Sequence, residues 1–207
     1  MFKRAIVAMA VVAVAAGALA ATTGAKKGGA KAKPVVYADY SKDADLGGWT
    51  WGDEAKGCGA AFAVKEGKGT VTVKPCDGGW GSGITIGHKV GPFVNAQGKT
   101  RVVFKMKVAA GFKMILSVDE TGCGGREKTD FTGLEGADGE RWSTPEWQGT
   151  GVVKEYSVKL AELKRDEGYG NPNGNKKLDL QGLGGMQLYF PAGQQAGEVA
   201  ISSIRFE

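Results

Sequence analysis

The sequence predicts an all-β domain of the β-sandwich class behind a short N-terminal export signal. Three observations support this prediction. Glycine is the commonest residue, with 35 copies, and glycines separate short runs rich in β-branched and aromatic residues. Apolar and polar residues alternate within those runs, which is typical of strands with one buried face. No helical hydrophobic period extends beyond about two turns.

Residues 1–20 have the organisation of a cleaved signal peptide. A basic start at Lys3 and Arg4 precedes an uncharged apolar run, which ends in the small-x-small sequence Ala-Leu-Ala that signal peptidase requires. The run is shorter than the roughly 20 residues of a membrane span. We therefore expect an exported protein, periplasmic, on the cell surface or secreted, with no span after removal of the signal.

The remaining chain divides into a linker and one folded domain. Residues 21–34 are rich in lysine, glycine and alanine and are predicted to be a short flexible linker. Residues 35–207 form the β domain. The formal net charge is +5, but part of it lies in the signal and the linker, so the domain is close to neutral. This balance argues against nucleic acid as a partner, because nucleic acid requires a large basic face.

The alternation predicts the strands in chain order. In residues 101–108, Val102, Phe104, Met106 and Val108 share one face, and charged residues occupy the other. A change of parity at Ser202-Ser203 predicts a β-bulge in the last strand. Roughly nine or ten strands, the first and last both long, predict a sandwich with adjacent termini. The predicted strands are residues 35–40, 60–65, 70–74, 83–87, 101–108, 113–119, 152–160, 186–190 and 199–206.

Two segments interrupt this pattern. Residues 160–165, Leu-Ala-Glu-Leu-Lys-Arg, are predicted to form a single helical turn after a strand. Residues 121–151 are polar and glycine-rich and carry Trp142 and Trp147. We expect them to form a long ordered loop, which on a β scaffold is usually functional.

The three cysteines predict one disulfide. Export permits disulfide formation, and Cys58 and Cys76 flank a predicted hairpin, so we expect these two to be bonded. Cys123 is then the odd thiol. Three cysteines and a single histidine do not favour a structural zinc site.

The sequence has no motif of a known catalytic apparatus. A glycosidase needs two carboxylates that face each other across a cleft, and the acidic residues between 119 and 146 cannot be paired from spacing alone. The tryptophans are more informative, because a flat ring stacks well on the weakly apolar face of a sugar. Trp80, Trp142 and Trp147 are candidates for this role, whereas Trp49 and Trp51, near the first strand, are expected to pack on or support the core.

Several segments together resemble a known family. Residues 36–40 (VYADY) and 47–53 (GGWTWGD) resemble the opening of galactose-binding-like jelly rolls, among them family-11-type carbohydrate-binding modules and domains related to complex I intermediate-associated protein. WGSGITIG at 80–87 is similar to their Trp/Gly-rich strand. Residues 155–190 and the closing segment 197–207 (GEVAISSIRFE) resemble their last strands. The resemblance implies an all-β jelly-roll β-sandwich over most of residues 35–207.

The resemblance also implies a ligand and, less directly, a metal. Members of the family bind β-glucans in a groove across a concave sheet, and many hold a structural calcium near the termini. Their closing strand usually carries an acidic pair where this chain has Ser202-Ser203, and only Asp39 matches a calcium ligand. We therefore expect no cofactor, although a structural calcium is possible.

The predicted function is non-catalytic binding of a polysaccharide such as a plant or cell-envelope glucan. Because Met114, Leu116, Met186 and their neighbours must face the core, alternation directs the polar residues between them to the other face. These residues are Ser117, Asp119, Gln187 and Tyr189. We expect them to line the groove, with rings supplied by Trp80, Trp142 and Trp147. A small glycan-active hydrolase or lyase on the same scaffold, or an envelope structural or assembly protein, are the alternatives.

Overall fold

A computed structural model describes residues 33–43, 46–87, 94–124 and 137–207. The predicted signal peptide and the linker as far as residue 32 lie outside the described residues. The β domain belongs to a compact unit, Ala32–Glu207. Its strands are β1 (Val35–Asp39), β2 (Gly48–Gly52), β3 (Gly59–Lys65), β4 (Lys68–Lys74), β5 (Ser82–Ile86), β6 (Arg101–Val108), β7 (Lys113–Glu120), β8 (Glu140–Ser143), β9 (Trp147–Gln148), β10 (Val153–Lys159), β11 (Lys164–Gly170), β12 (Leu183–Phe190) and β13 (Gly197–Phe206).

The strands form two antiparallel sheets that pack face to face. The first sheet has the order β10-β6-β13-β4-β3, and β1 also pairs with β13. The second sheet has the order β11-β8-β7-β12-β5-β2, and the short β9 pairs with the start of β7. The core between them is apolar and includes Phe104, Met106, Leu116, Met186 and Phe190, all at most 1% exposed. The prediction of a jelly-roll β-sandwich is confirmed.

The predicted alternation is confirmed on the central strands. In β6, Val102, Phe104, Met106 and Val108 are buried, whereas Lys105 is exposed. This pattern follows from the pleat, which turns successive side chains to opposite faces of a sheet.

The predicted irregularity in the last strand is also confirmed. The pairing of β13 with β6 shifts register between Ile201 and Ser203. The extra residue restores the inward direction after the bulge. As a result Val199 and Ile201 before it, and Ile204 and Phe206 after it, all reach the core.

The expected long loop at 121–151 is wrong where the structure describes it. Residues 137–151 contain β8, which pairs with β7 and β11, and β9. The helical turn after β10 is shorter than expected: a 3-10 turn spans Leu160–Glu162, and Lys164 already begins β11. Besides β8, β9 and β11, the pattern also missed β2, because its glycines hide the alternation.

The predicted disulfide between Cys58 and Cys76 is confirmed, with Cα atoms 4.9 Å apart. It joins the start of β3 to the segment after β4. Within the described parts of the chain, the protein has no helix with the length and apolar character of a membrane span.

A pair of substitutions in β6 tests the two faces of the sandwich. Phe104→Ala should lower the free energy of unfolding by about 3–5 kcal/mol, because it leaves a cavity in a close-packed core. Lys105→Ala, one residue further on the exposed face, should change it by less than about 0.5 kcal/mol. Urea denaturation of both variants measures the difference. Equal losses would contradict the assignment of the two faces.

Candidate functional site

The outer face of the second sheet forms an open groove of about 950 Å³. Its centre is built by β7 and β12, whose inward residues fill the core. Their outward residues Ile115, Ser117, Asp119, Gln187 and Tyr189 line the groove. The groove therefore lies on the face that alternation assigns to these side chains.

The predicted ligand-binding residues separate into two groups. Trp80, Asp119, Gln187 and Tyr189 line the groove. Trp142 and Trp147 do not, and they are treated below. The contribution of the first four to ligand binding stays a prediction, but the structure brings them to one surface.

The register of the strands arranges the groove in three rows. The first row runs from Trp51 through Gly83 and Tyr189 to Ile115. Gly83 is essential here, because a Cβ on this residue would lie 2.3 Å from the Trp51 ring. The missing side chain lets Trp51 lie across β5, where it stacks on Tyr189 with ring centroids 6.1 Å apart and planes at 10°.

Two further rings extend this aromatic surface. Trp80, 51% exposed, stacks on Trp51 with centroids 5.8 Å apart. Trp49, 44% exposed, lies at the edge of the sheet on the same face. Large exposed rings in one groove are uncommon on a soluble protein and indicate a binding surface.

The second row is polar and runs from Thr85 through Gln187 and Ser117 to Ser143. Thr85 accepts a hydrogen bond from Trp51 Nε1 at 3.3 Å, which fixes the indole. The Ser117 and Ser143 hydroxyls are 2.9 Å apart and hydrogen-bonded. These contacts orient the polar side chains at the two ends of the row.

The third row contains a buried ion pair. Arg141 on β8 donates from Nε and Nη2 to the two carboxylate oxygens of Asp119, at 2.7 and 2.8 Å. Gln187 Nε2 donates to the same carboxylate at 2.6 Å. Asp119 is 5% and Arg141 8% exposed. Although burial opposes it, the hydrogen bonds and charge of Asp119 raise the pKa of the Arg141 guanidinium above its ordinary value.

Arg141 also organises the far side of the groove. Its guanidinium carbon lies 3.5 Å from the centre of the Tyr169 ring, a cation–π contact. Tyr169 and Asp166, both on β11, complete this wall. One side of the groove is therefore aromatic and the other is charged.

Trp142 and Trp147 lie on the opposite face of the sheet. Trp142 is opposite the buried Val118 and donates from Nε1 to Glu120 at 3.0 Å. Trp147 is opposite the buried Met114 and stacks on Tyr156 with centroids 5.5 Å apart. Both pack against the core. The sequence predicts that these two rings reach the groove from a long loop. The structure has strands β8 and β9 there instead, and these strands direct both rings inward.

The expectation for Trp49 and Trp51 is also corrected. In β2 the glycines, not the tryptophans, face inward: a Cβ on Gly48 would lie 2.7 Å from Ile84 Cδ1. The sequence reasoning also missed Arg141 and Tyr169. If residues 140–143 are read as a strand, Arg141 and Trp142 point to opposite faces of the sheet. An inward Trp142 then places Arg141 in the groove.

A group of carboxylates lies beneath the charged end of the groove. Oxygens of Glu120, Asp138 and Glu140 come within 4.8 Å of one another, so these residues could hold a cation. Glu120 accepts hydrogen bonds from the N–H groups of Asp138 and Glu140 and from Asp179 N–H. Glu140 pairs with Arg165 and accepts Lys176 N–H at 2.9 Å. The group connects β7, β8, β11 and the segment before β12.

Asp39, the predicted calcium candidate, is not part of this group. Its carboxylate accepts a 2.6 Å hydrogen bond from the Ser41 hydroxyl and forms a 3.1 Å ion pair with Lys42. The Ser41 hydroxyl, together with Lys42, lowers the pKa of Asp39 below its ordinary value. Asp39 therefore stabilises the turn after β1.

The fold is similar to that of carbohydrate-binding modules. The family 11 module of Clostridium thermocellum, solved with a β-1,3-1,4-mixed-linked tetrasaccharide, has a TM-score of 0.60 at 13% identity over 84% of this chain and 94% of its own. The family 11 module of a cellulosomal cellulase of the same organism has a TM-score of 0.59 at 13% identity, over 86% and 95%. No protein-family model and no curated protein matches the sequence. The chain therefore shares its jelly-roll fold with these modules, as the sequence resemblance implied.

The stability of the domain should depend on pH through Glu120. Burial, and then the neighbouring Asp138 carboxyl, raise the pKa of Glu120 from 4.5 to about 7. The folded protein therefore binds this proton more tightly than the unfolded chain, and the resulting stability is present below pH 4.5 and lost as the pH rises through about 7. With a chelator present, Tm should fall between pH 5 and pH 8.

Glu120→Gln should make this decline shallower, because the titrating group is gone. Glu54→Gln, on the surface, should leave the decline unchanged. Thermal denaturation followed by circular dichroism measures both. A wild-type Tm that rises from pH 5 to pH 8 would contradict the prediction, because it would mean that ionisation of Glu120 does not destabilise the folded protein.

Proposed function

We propose that this domain binds a polysaccharide chain in the groove. The observation that supports this most strongly is the near-parallel pair Trp51 and Tyr189, extended by Trp80, beside a row of polar side chains. A pyranose has weakly apolar C–H faces and hydroxyl edges, so it needs rings and polar partners together. The groove crosses all six main strands of the sheet, from β2 to β11, which is roughly 24 Å at the usual strand spacing. This suits several linked sugars better than one.

The proposed binding is non-catalytic. Both oxygens of Asp119 accept hydrogen bonds from Arg141, and Gln187 holds the same carboxylate. The oxygens of Glu120 accept several N–H groups. A glycosidase needs one carboxyl to give up a proton and another to act on the sugar or on water. Two carboxyl groups whose oxygens are already hydrogen-bonded within the protein favour binding over a hydrolase or lyase.

The proposed partner is a neutral glucan outside the cell, of plant or cell-envelope origin. The family 11 module with the same fold was solved with a mixed-linked β-glucan fragment, and the wide, ring-lined groove suits a chain of that type. Export agrees with the Cys58–Cys76 disulfide, because such bonds persist in oxidising compartments. An envelope structural or assembly protein remains the alternative, and absence of glycan binding would favour it.

Loss of a groove ring should weaken binding without unfolding the domain. Tyr189→Ala should weaken affinity for a mixed-linkage β-glucan by about 5- to 150-fold, which corresponds to 1–3 kcal/mol for a true hot spot. Trp147→Ala is the matched control, because Trp147 packs on the core outside the groove. It should lower Tm and leave the affinity of the folded protein unchanged. Isothermal titration calorimetry and thermal denaturation measure the two effects.

Two results would count against the proposal. Equal affinities for wild type and Tyr189→Ala would place any glycan site elsewhere. Release of shorter products from the bound polysaccharide would show an enzyme.

The charge of the groove should select against acidic polysaccharides. Among the described residues that line the groove, three are carboxylic acids (Asp119, Glu120 and Asp166) and one is an arginine (Arg141), and Asp119 and Arg141 neutralise each other. A neutral β-glucan should therefore bind with little dependence on salt, whereas polygalacturonate should bind weakly.

Asp166→Asn should reduce this discrimination against polygalacturonate. Glu167→Gln, next in sequence but paired with Arg165 outside the groove lining, should not. Affinity electrophoresis in gels that contain each polymer compares the variants. Stronger retention of the wild type by polygalacturonate than by the glucan would contradict a selective groove.

A further inference from the structure

The most exposed ring of the groove stands on a segment with little regular structure of its own. Trp80 belongs to residues 75–81, which we call the Trp80 turn. Gly78, Gly79 and Gly81 in this turn all have positive φ values. Glycine-rich backbone loses much conformational entropy when it is ordered. Contacts from outside the turn must therefore hold the Trp80 ring against Trp51.

Asp53 provides two of these contacts. Its carboxylate Oδ2 accepts a hydrogen bond from Trp80 N–H at 3.2 Å, and its own N–H donates to the Gly81 carbonyl at 2.9 Å. The carboxylate lies so close to the turn that a Cβ on Gly79 would be 2.3 Å from Oδ2. Asp53 follows β2 directly, so it connects the turn to the strand that carries Trp51.

The disulfide provides the second attachment. Cys76 lies in the Trp80 turn and is bonded to Cys58. Cys58 is in turn hydrogen-bonded to Asp53, because its N–H donates to the Asp53 carbonyl at 3.0 Å. On the groove side, the Tyr189 hydroxyl donates a hydrogen bond to the Trp80 carbonyl. The Trp80 turn is thus held at Cys76, at Trp80 itself and at Gly81.

We propose that Asp53 and the Cys58–Cys76 disulfide are positioning elements of the glycan site, which hold the Trp80 ring in stacking contact with Trp51. The inference rests on the proposed function, but Asp53 lies outside the groove lining and need not touch the ligand. It acts through the hydrogen bond that its carboxylate accepts from the Trp80 backbone N–H. Without it, the turn loses the contact that orients Trp80 and the aromatic surface becomes shorter by one ring.

The experiment compares Asp53→Ala with Asp53→Asn, which keeps a side-chain oxygen that can accept the Trp80 N–H. Asp77→Ala, an exposed acidic residue of the same turn, is the matched control. Two readouts are used. One is the exciton-coupled circular dichroism signal of the adjacent Trp51 and Trp80 indoles, which needs no ligand. The other is the Kd for a mixed-linkage β-glucan oligosaccharide by calorimetry.

Asp53→Ala should lose most of the exciton signal and weaken Kd by about as much as Trp80→Ala does, 5- to 150-fold for a hot-spot ring. Asp53→Asn and Asp77→Ala should keep both the signal and the affinity within about twofold of wild type. In a Trp80→Ala background, Asp53→Ala should cause no further loss of affinity, because the two residues act on one contact. A Cys58→Ala/Cys76→Ala double variant should reduce the exciton signal and lower Tm.

Each other outcome overturns the proposal. An Asp53→Ala variant with the wild-type exciton signal shows that Asp53 does not position Trp80. An additional loss of affinity in the Trp80→Ala background shows that Asp53 acts on the ligand by another route. If the wild type binds no β-glucan, the proposed function fails by itself, and the exciton signals of the same variants still decide whether Asp53 and the disulfide orient the ring.

Discussion

The two-residue period of β7 and β12 is the constraint on which the rest of the structure depends. Each strand has an uninterrupted apolar set, with Met114, Leu116 and Met186 among its members, and this set must leave water. Because successive side chains of a strand point to opposite faces, the remaining residues of β7 and β12 must then face outward. A shift of one residue would bury Asp119 in the core and expose the methionines. The same hydrophobic pattern that stabilises the sandwich therefore also fixes which side chains reach the groove.

The order of residues along the groove follows from register rather than from the strands individually. Gly83 lies between Trp51 and Tyr189 in neighbouring strands, and its missing side chain allows the two rings to meet. Four residues along the strands, Gly185 and Asp119 are opposite each other, and Arg141 is the next neighbour. Desolvation of such an ion pair offsets much of its Coulomb energy. Its main consequence is geometric, because a bidentate contact holds Arg141 flat beneath Tyr169.

The sequence predicted the parts of this arrangement that depend on long strands. Alternation over residues 113–119 and 186–190 was sufficient to place Asp119 and Gln187 on the outer face. It failed where strands are short or rich in glycine. Within β8 and β9, too few residues alternate to show a period, so the sequence predicts a loop that contains Trp142 and Trp147.

In β2 the failure has a different cause. The inward positions are Gly48, Thr50 and Gly52, and a strand whose core face is glycine shows no hydrophobic pattern. Its large residues point outward, against the usual rule that tryptophan seeks the interior. Sequence alone could not show this, because the reason lies in the neighbours: Ile84 and the backbone of Cys58 already occupy the space that a side chain would need.

The two halves of the groove differ in how they are held. The charged half stands on sheet strands, and its side chains bond to one another across β7, β8 and β12. Local opening there would break both a buried ion pair and a ladder of backbone hydrogen bonds. In the aromatic half, Trp51 and Tyr189 stand on strands, but Trp80 depends on contacts made by Asp53, Tyr189 and the disulfide.

Segments with few buried apolar contacts open at lower free energy than the core of a sheet. The outer ring of the aromatic surface is therefore the part of the groove whose position can change while the sandwich stays folded. Because an ordered ring contributes to affinity only when it is already in place, the contacts that hold the Trp80 turn affect binding as directly as the ring does. The charged floor, in contrast, is coupled to the fold itself and changes only with it.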